Sequence, residues 1–343
     1  YRRQRQMCIR DSDKTKFKIP SQIKNLRDKK LIHNVRISND QIAKEVLNFA
    51  SRGKRISVPA TSANLGPGYD ALGLALTLFN TCEFNFTKDK EEFEENTKNN
   101  LIYKSYKYTF DFYKKDPVPI IFDLEADIPM SRGLGSSAAC IVMGVIAALS
   151  VMGKDIDKEE VLKISAEIEG HPDNLFPAIF AGAGISILED GKVYKEKFEI
   201  SDKFKFLAII PEDKVSTKKA REVLPQTYKK EDAVFNISRV SMLILSLISG
   251  NAENLKIALD DKIHQPYRYK LIPEIEKIER IIDQSEAIGH YLSGSGSTII
   301  VVLKLEDEGS EKEIRDKLEG LGNSYQVKKL DIDDKLSLIH ISE

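Results

Sequence analysis

Residues 118 to 152 constrain the chain most. Val118, Ile120, Phe122, Leu124, Ala126 and Ile128 alternate with polar positions, and Asp123, Glu125 and Asp127 fall on the opposite face. That is the period of a half-buried strand in a sheet with one covered face. Eleven residues follow, Pro129-Met130-Ser131-Arg132-Gly133-Leu134-Gly135-Ser136-Ser137-Ala138-Ala139, and then an apolar run to Met152 that reads as a buried helix. Glycines let backbone approach a ligand closely, and the free amides and dipole of a helix start favour an anion. Ser136 and Ser137 add hydroxyls, either as donors or as a ligand for the magnesium that accompanies a nucleotide. Strand, Gly-rich loop and helix in this order predict a phosphate site.

Other uses of the same residues have to be weighed. The glycines would also serve a plain tight turn. Residues 133–138 fit a Gly-x-Gly-x-x-Ala dinucleotide fingerprint, but such a strand is continuously apolar, whereas this one carries three acids on one face. The P-loop lysine is absent, and the Gly-Ser loop at 293–297 does not meet the nucleophile-elbow pattern of hydrolases.

Around this centre the order of elements is readable. Ile56, Val58 and Ala60 alternate into a turn rich in Gly, Pro, Asn and Ser (Pro59 to Asp70), followed by an apolar segment, Ala71 to Phe79. Residues 87–100 read as a solvated loop or weak hairpin, and Leu101 to Tyr113 as a helix. Asp157 and Glu160 form a capping-box pattern for a helix that Gly170 stops near Glu169. His171-Pro172-Asp173-Asn174 and a strand from Gly184 to Leu188 come next. From about residue 200, strands and amphipathic helices alternate: strand Phe206 to Ile210, a helix starting at Thr217 to Leu224, an apolar helix Phe235 to Ile248, a Gly-Ser loop and buried strand within His290 to Leu305, helix Glu311 to Leu318 and strand Tyr325 to Leu330. No internal repeat is evident.

Composition narrows the class. With 343 residues, 31% charged and a net charge of −1, the chain has room for two domains and lacks the overall basic balance that nucleic acid demands, although a local basic patch stays open. No uninterrupted run of eighteen apolar residues reads as membrane-spanning. Cys8, Cys82 and Cys140 lie far apart, which predicts a reduced, cytoplasmic setting and no cysteine metal site, with Cys140 a small core residue. The ends look foreign. Met7-Cys8-Ile9-Arg10-Asp11 can be encoded by a DNA string whose reverse complement, in another frame, gives Leu336-Ser337-Leu338-Ile339-His340-Ile341. Both ends resemble translated sequencing-adapter DNA and are set aside, as is a Lys-rich stretch at 13–53 with a candidate helix from Asn39 to Phe49.

The eleven residues Pro129 to Ala139 resemble the ATP loop of the GHMP kinases, the superfamily of galactokinase, homoserine kinase, mevalonate kinase and phosphomevalonate kinase. Val58 to Asp70 is similar to its first motif and Ser293-Gly294-Ser295-Gly296 to its third. Glu169-Gly170-His171-Pro172-Asp173-Asn174 resembles the form found in the homoserine kinase family. Order and spacing agree over roughly residues 54–332. Two positions depart: Ser131 stands where Gly is common, and Ser297 where Pro is usual.

The resemblance implies an α+β, two-domain fold. An N-terminal ATP-binding domain similar to the second domain of ribosomal protein S5 would span 54–200, and a ferredoxin-like C-terminal domain 201–335, with 1–53 an uncertain extension, 336–343 an adapter-like tail and the site in the cleft between domains. It implies ATP bound by residues 129–139, Mg2+ held by Ser137 and Glu169 (favoured over Glu167), and the zwitterionic alcohol L-homoserine as acceptor. Asn64, Asp70 and His171 would contact that substrate, Arg221 and Arg268 its carboxylate, and Asn174 the transferring phosphoryl group. A carboxylate in the last turn of a helix is unfavourable unless a cation compensates, which supports a metal at Glu169. Arginine is suited to fork a carboxylate, whereas Asp70 could instead cap a following helix. No residue clearly fills the role of base, so positioning and charge neutralisation are expected to carry the transfer. Another GHMP kinase of mevalonate or shikimate type, a dinucleotide oxidoreductase and a non-catalytic metabolite sensor are the rival readings. Neither nucleic acid nor membrane is expected as a partner, and a homodimer and feedback by threonine stay open.

Overall fold

The computed structural model describes residues 54–321 and 325–334. The readings of the 13–53 stretch, its helix at 39–49 and the adapter-like ends lie outside the described residues.

The first sheet is organised by one long strand. β1 (Lys54–Ala63) runs antiparallel to β2 (Leu72–Phe86), whose fifteen residues are long enough to pair twice along its other edge. Leu72 to Leu74 pair with β4 (Ala183–Glu189), and Asn80 to Phe86 with β3 (Ile120–Ala126). β5 (Lys192–Phe198) closes the far side against β4. The apolar segment after Asp70 is thus a strand, and Asp70 caps no helix; it is a turn residue with φ +53°.

Helices pack on this sheet. α1 (Lys90–Thr97) and α2 (Leu101–Phe112) start at Asp89 and Asn100, whose side chains accept from the amides of the first turn. α1 replaces the expected loop or hairpin. It buries none of its residues, so it carries no apolar period to read, and its cap is the local signal for it. α3 (Ser136–Val151) is apolar all round because it is buried all round. α4 (Lys158–Glu169) is capped by Asp157 and ends at a left-handed Gly170, as expected, but Glu160 does not reach back to complete the box; it takes a hydrogen bond from Tyr113 instead. A short α5 (Leu175–Phe180) follows. In β3 the alternation holds only for half the strand: Ile120 and Phe122 are buried, while Leu124 and Ala126 are exposed, because the strand runs beyond the covering helices towards an open cleft.

The second sheet comprises β6 (Phe204–Pro211), β7 (Gly289–Leu292), β8 (Ile299–Lys304) and β9 (Tyr325–Leu330), in the order β7-β8-β6-β9 and antiparallel throughout. That is the ferredoxin-like arrangement. Its first crossover is expanded into α6 (Thr217–Glu222), α7 (Lys230–Ser249), α8 (Ala252–Ala258), α9 (Gln265–Arg268) and α10 (Ile275–Asp283); α11 (Ser310–Glu319) forms the second. Both faces of β6 are covered. Leu207 and Ile209 meet Ile278, Ile282, Ile314 and Leu318 of α10 and α11. Phe204, Phe206, Ala208 and Ile210 join a core continuous with that of the first sheet. After β9 the chain returns to β2 and the segment before β4, through Thr77 N to Asp331 O (3.0 Å) and Gly182 N to Asp333 O (2.7 Å). The two sheets are therefore joined by a shared core and a backbone strap. α7 is long and apolar enough to cross a membrane (mean hydropathy 1.4), but Leu243 and Leu247 are buried in this core and its Asn236 hydrogen-bonds Asp261.

A Cβ at Gly144 of α3 would fall 2.2 Å from the carbonyl oxygen of Ile102 in α2. Helix propensity alone favours Ala over Gly by about 1 kcal/mol. We expect Gly144→Ala to reverse that sign and destabilise the fold by about 1–3 kcal/mol, the scale of overpacking, read as a lowered Tm in thermal unfolding.

Candidate active site

The loop between β3 and α3 is held from both sides. Gly133 (φ +75°) and Gly135 (φ +69°) adopt backbone that side chains disfavour, and neither position has room for a Cβ. One at Gly133 would lie 2.0 Å from Ser293 O, and one at Gly135 1.9 Å from Thr61 Oγ1. Thr61 N donates to Leu134 O (3.1 Å), Ser293 Oγ to Gly133 O (2.6 Å) and Thr298 N to Arg132 O (3.1 Å). With its carbonyls engaged in this way, the loop delivers α3 to the cleft with no side-chain cap on its first turn. Those amides, at the positive end of a buried sixteen-residue helix, are suited to an anion.

Nine of the eleven loop residues border a cleft of about 440 Å3; Arg132 and Ala139 do not. Arg132 donates to the carbonyls of Met130, Pro211 and Glu212, and so ties the loop to the end of β6. Ala139 is wholly buried behind the helix start. The cleft also has a wall that sequence reading missed, formed by Asn99 to Ile102 and Leu124. In sequence β3 alternates without a break, so nothing in the chain marked this wall. Cys140 packs against the core, as expected, but is only half-buried and borders this cleft; burial, then the nearby Glu169, pushes its thiol up to about 11, which keeps it protonated.

Ser137 Oγ donates to Glu169 Oε2 (3.3 Å) at the junction of α3 and the last turn of α4. Burial raises the pKa of Glu169, and His171 and Ser137 oppose that rise. Glu167 points elsewhere: it is exposed and accepts from Tyr108 Oη (3.0 Å). Two hard oxygen donors beside a phosphate site suit Mg2+, which takes one or two protein ligands and leaves its other positions to phosphates and water.

His171, Asp173 and Asn174 follow α4 directly. His171 Nδ1 and Asp173 Oδ1 are 2.9 Å apart, and Asn174 N donates to the same oxygen at 3.0 Å. Burial opposes a charge on His171, but Asp173 and Glu169 outweigh it and raise its pKa. Asn174 Oδ1 accepts from Thr61 Oγ1 at 2.7 Å, across 113 residues of chain.

Two arginines border the same cleft. Arg221 of α6 forks the carboxylate of Asp70, Nη1 to Oδ2 and Nη2 to Oδ1 both at 3.1 Å, and also donates to Tyr69 Oη at 3.2 Å. Arg268 of α9 is only 3% exposed; burial lowers its pKa. It donates from Nε to Ala220 O (3.1 Å) and from Nη1 to Gly294 O (2.9 Å), with its guanidinium 5.0 Å from the centre of the Tyr69 ring. Asn64 borders the cleft but spends its amide on the turn, accepting from Asp70 N (3.0 Å) and donating to Gly294 O (3.0 Å). Tyr69 also stacks on His264. Burial depresses His264 to about 4, so its neutral ring donates from Nε2 to Gly66 O at 2.7 Å. Thus Asn64, Asp70, Ser137, Glu169, His171, Asn174, Arg221 and Arg268 share one cleft.

The family profile described as GHMP kinases N terminal domain matches residues 100–182, and that described as GHMP kinases C terminal matches residues 243–323. A homoserine kinase of Clostridium botulinum (strain Okra / Type B1) is 41% identical over 283 residues, covering 81% of this chain and 95% of the relative. One from Clostridium acetobutylicum is 39% identical over 293 residues, covering 83% and 99%. Among solved structures, a homoserine kinase from Cytophaga hutchinsonii superposes with a TM-score of 0.72 at 21% identity, covering 82% of this chain and 95% of that one. The mevalonate kinase of Methanococcus jannaschii superposes with a TM-score of 0.61 at 20% identity, covering 81% and 98%. These two similarities show the fold, the α+β two-domain kinase architecture; the family rests on the sequence relatives. The chain belongs to the homoserine kinase family of the GHMP kinases.

Proposed function

We propose that the cleft transfers the γ-phosphoryl group of ATP to the side-chain hydroxyl of L-homoserine, giving O-phospho-L-homoserine for threonine synthesis in the cytoplasm. The observation that carries this reading is that two ligand sites share one cavity. It is lined both by the start of α3, with its bare amides, and by the Asp70–Arg221 fork with buried Arg268. A zwitterion can exchange with that ion pair. Its carboxylate accepts from Arg221 and Arg268, its ammonium donates to Asp70, and both charges of the zwitterion meet an opposite one.

The hydroxyl then lies towards His171 and Asn174. The amides of α3 and the hydroxyls of Ser136 and Ser137 hold the phosphates. The Asn174 amide, oriented through Thr61, donates to the moving phosphoryl group, and His171 orients the hydroxyl. Asn174 cannot accept a proton as a carboxylate does, so rate comes from alignment and charge stabilisation. Ser137 and Glu169 would hold Mg2+, which when bound neutralises charge on the β- and γ-phosphates.

Three outcomes are expected. ADP release from magnesium-ATP should require L-homoserine and should not be supported by mevalonate, shikimate or galactose. Turnover with one of those alcohols instead would discard the arginine assignments. Arg268→Ala should raise KM for homoserine by about 10²-fold or more, since truncating one partner of a buried charge pair costs about 2–5 kcal/mol; an unchanged KM would remove Arg268 from the site. Asn174→Ala should lower kcat by about 10²-fold, the scale of a lost transition-state donor, and an unaltered rate would exclude that residue from the chemistry.

A further inference from the structure

Asp173 has no part in the mechanism above, yet it is 3% exposed and lies between two residues that do. A buried carboxylate is costly unless its oxygens are satisfied, so its partners indicate what it is for. Oδ1 receives three groups: His171 Nδ1 at 2.9 Å, Asn174 N at 3.0 Å and, more weakly, Asn174 Nδ2 at 3.4 Å. We propose that Asp173 is the positioning residue of the phosphoryl-transfer end, a single carboxylate that fixes the orientation of both His171 and Asn174.

Geometry gives it three separate effects. With Nδ1–H of His171 directed at Asp173, the ring is held in one orientation and one tautomer where it borders the cleft. The Asn174 side chain is held from both ends, Oδ1 by Thr61 at 2.7 Å and Nδ2 by Asp173, so the amide is not free to exchange its oxygen and nitrogen. The backbone of Asp173 is itself seated in the first sheet. Its carbonyl oxygen occupies the place of a side chain at Gly73 of β2, where a Cβ would come within 1.9 Å. The carboxylate is thus referenced to the same sheet that carries Thr61 on β1. A helix-capping role would explain only the bond to Asn174 N at the start of α5. It leaves the contacts to the imidazole and to the side-chain amide without a purpose.

This inference rests on the roles given to His171 and Asn174 above. Asp173→Ala, assayed with magnesium-ATP and L-homoserine, should lower kcat about 10²-fold, the scale of a small misplacement of reacting groups, while both KM values stay within about threefold. Asp173→Asn, which keeps an acceptor oxygen of the same shape, should recover part of that loss. If Asp173 acts through its neighbours, Asp173→Ala should cost far less in a protein already carrying His171→Ala and Asn174→Ala. The inference is overturned if kcat is unaltered in both single variants, if the loss multiplies in full in that background, or if both KM values rise in step with a falling Tm, the mark of a structural role alone. Should Asp173→Ala not fold, an unaltered kcat in Asp173→Asn still refutes it. The parent enzyme, assayed alongside, separates the two ideas. No turnover by the parent overturns the reading of the site and this inference with it; an active parent with unaltered variants overturns only the part given to Asp173.

Discussion

Three loops meet where there is no space for a side chain, and the active cleft depends on that contact. The first turn, ending β1, supplies Thr61, Ser62 and Asn64. The Gly-rich loop supplies Gly133 and Gly135, and the loop between β7 and β8 supplies Ser293 and Gly294. Ser293 Oγ bonds both Ser62 Oγ (2.8 Å) and Gly133 O (2.6 Å), while Gly294 N donates to Ala63 O (3.1 Å) and Gly294 O accepts from Asn64 and Arg268. Backbone polar groups buried in loops must find partners, and here each loop satisfies the others. The knot lies at the junction of the two sheets. It holds both the loop that starts α3 and the carbonyl that fixes Arg268, so the bare amides and the arginine are set in one frame.

The electrostatics follow from that frame. Asp70 and Glu169 each have a protein partner in this structure that could be exchanged for a ligand: Asp70 with Arg221, Glu169 with Ser137. Buried charge is tolerated where it is paired, and those pairs match what a zwitterion and a phosphate-bound cation would bring. Arg268 is the exception. It is fixed by backbone carbonyls, and its guanidinium lies over Tyr69, which marks it as part of the frame as well as of the site.

Much of the fold was legible because its signals are local. Gly-x-Gly between strand and helix, the Asp157 cap and Gly170 stop, and the unbroken apolar run of β6 each depend on neighbours in sequence. α1 was missed because it buries nothing, and β2 was open to a helical reading because its first residues, covered on both faces, show no alternation. At the site, residue types and order pointed to one cleft. Partners did not follow from them: Arg132, which looked like a phosphate ligand, braces β6, and Asn64 holds its own turn.

By resemblance the sequence singled out two arginines and an aspartate for a zwitterion; by itself it determined the Gly-rich loop between strand and helix and the alternation that yields two sheets. Those properties arise from backbone freedom, charge and periodicity within a few residues. Only the tertiary structure decided that Asp70 meets Arg221 across 151 positions, that Thr61 bonds Asn174 across 113, and that Leu124 and Asn99 to Ile102 wall the cleft. Such contacts are set by how two sheets share one core, and no local pattern in the chain records which distant side chain that packing will bring within hydrogen-bonding reach.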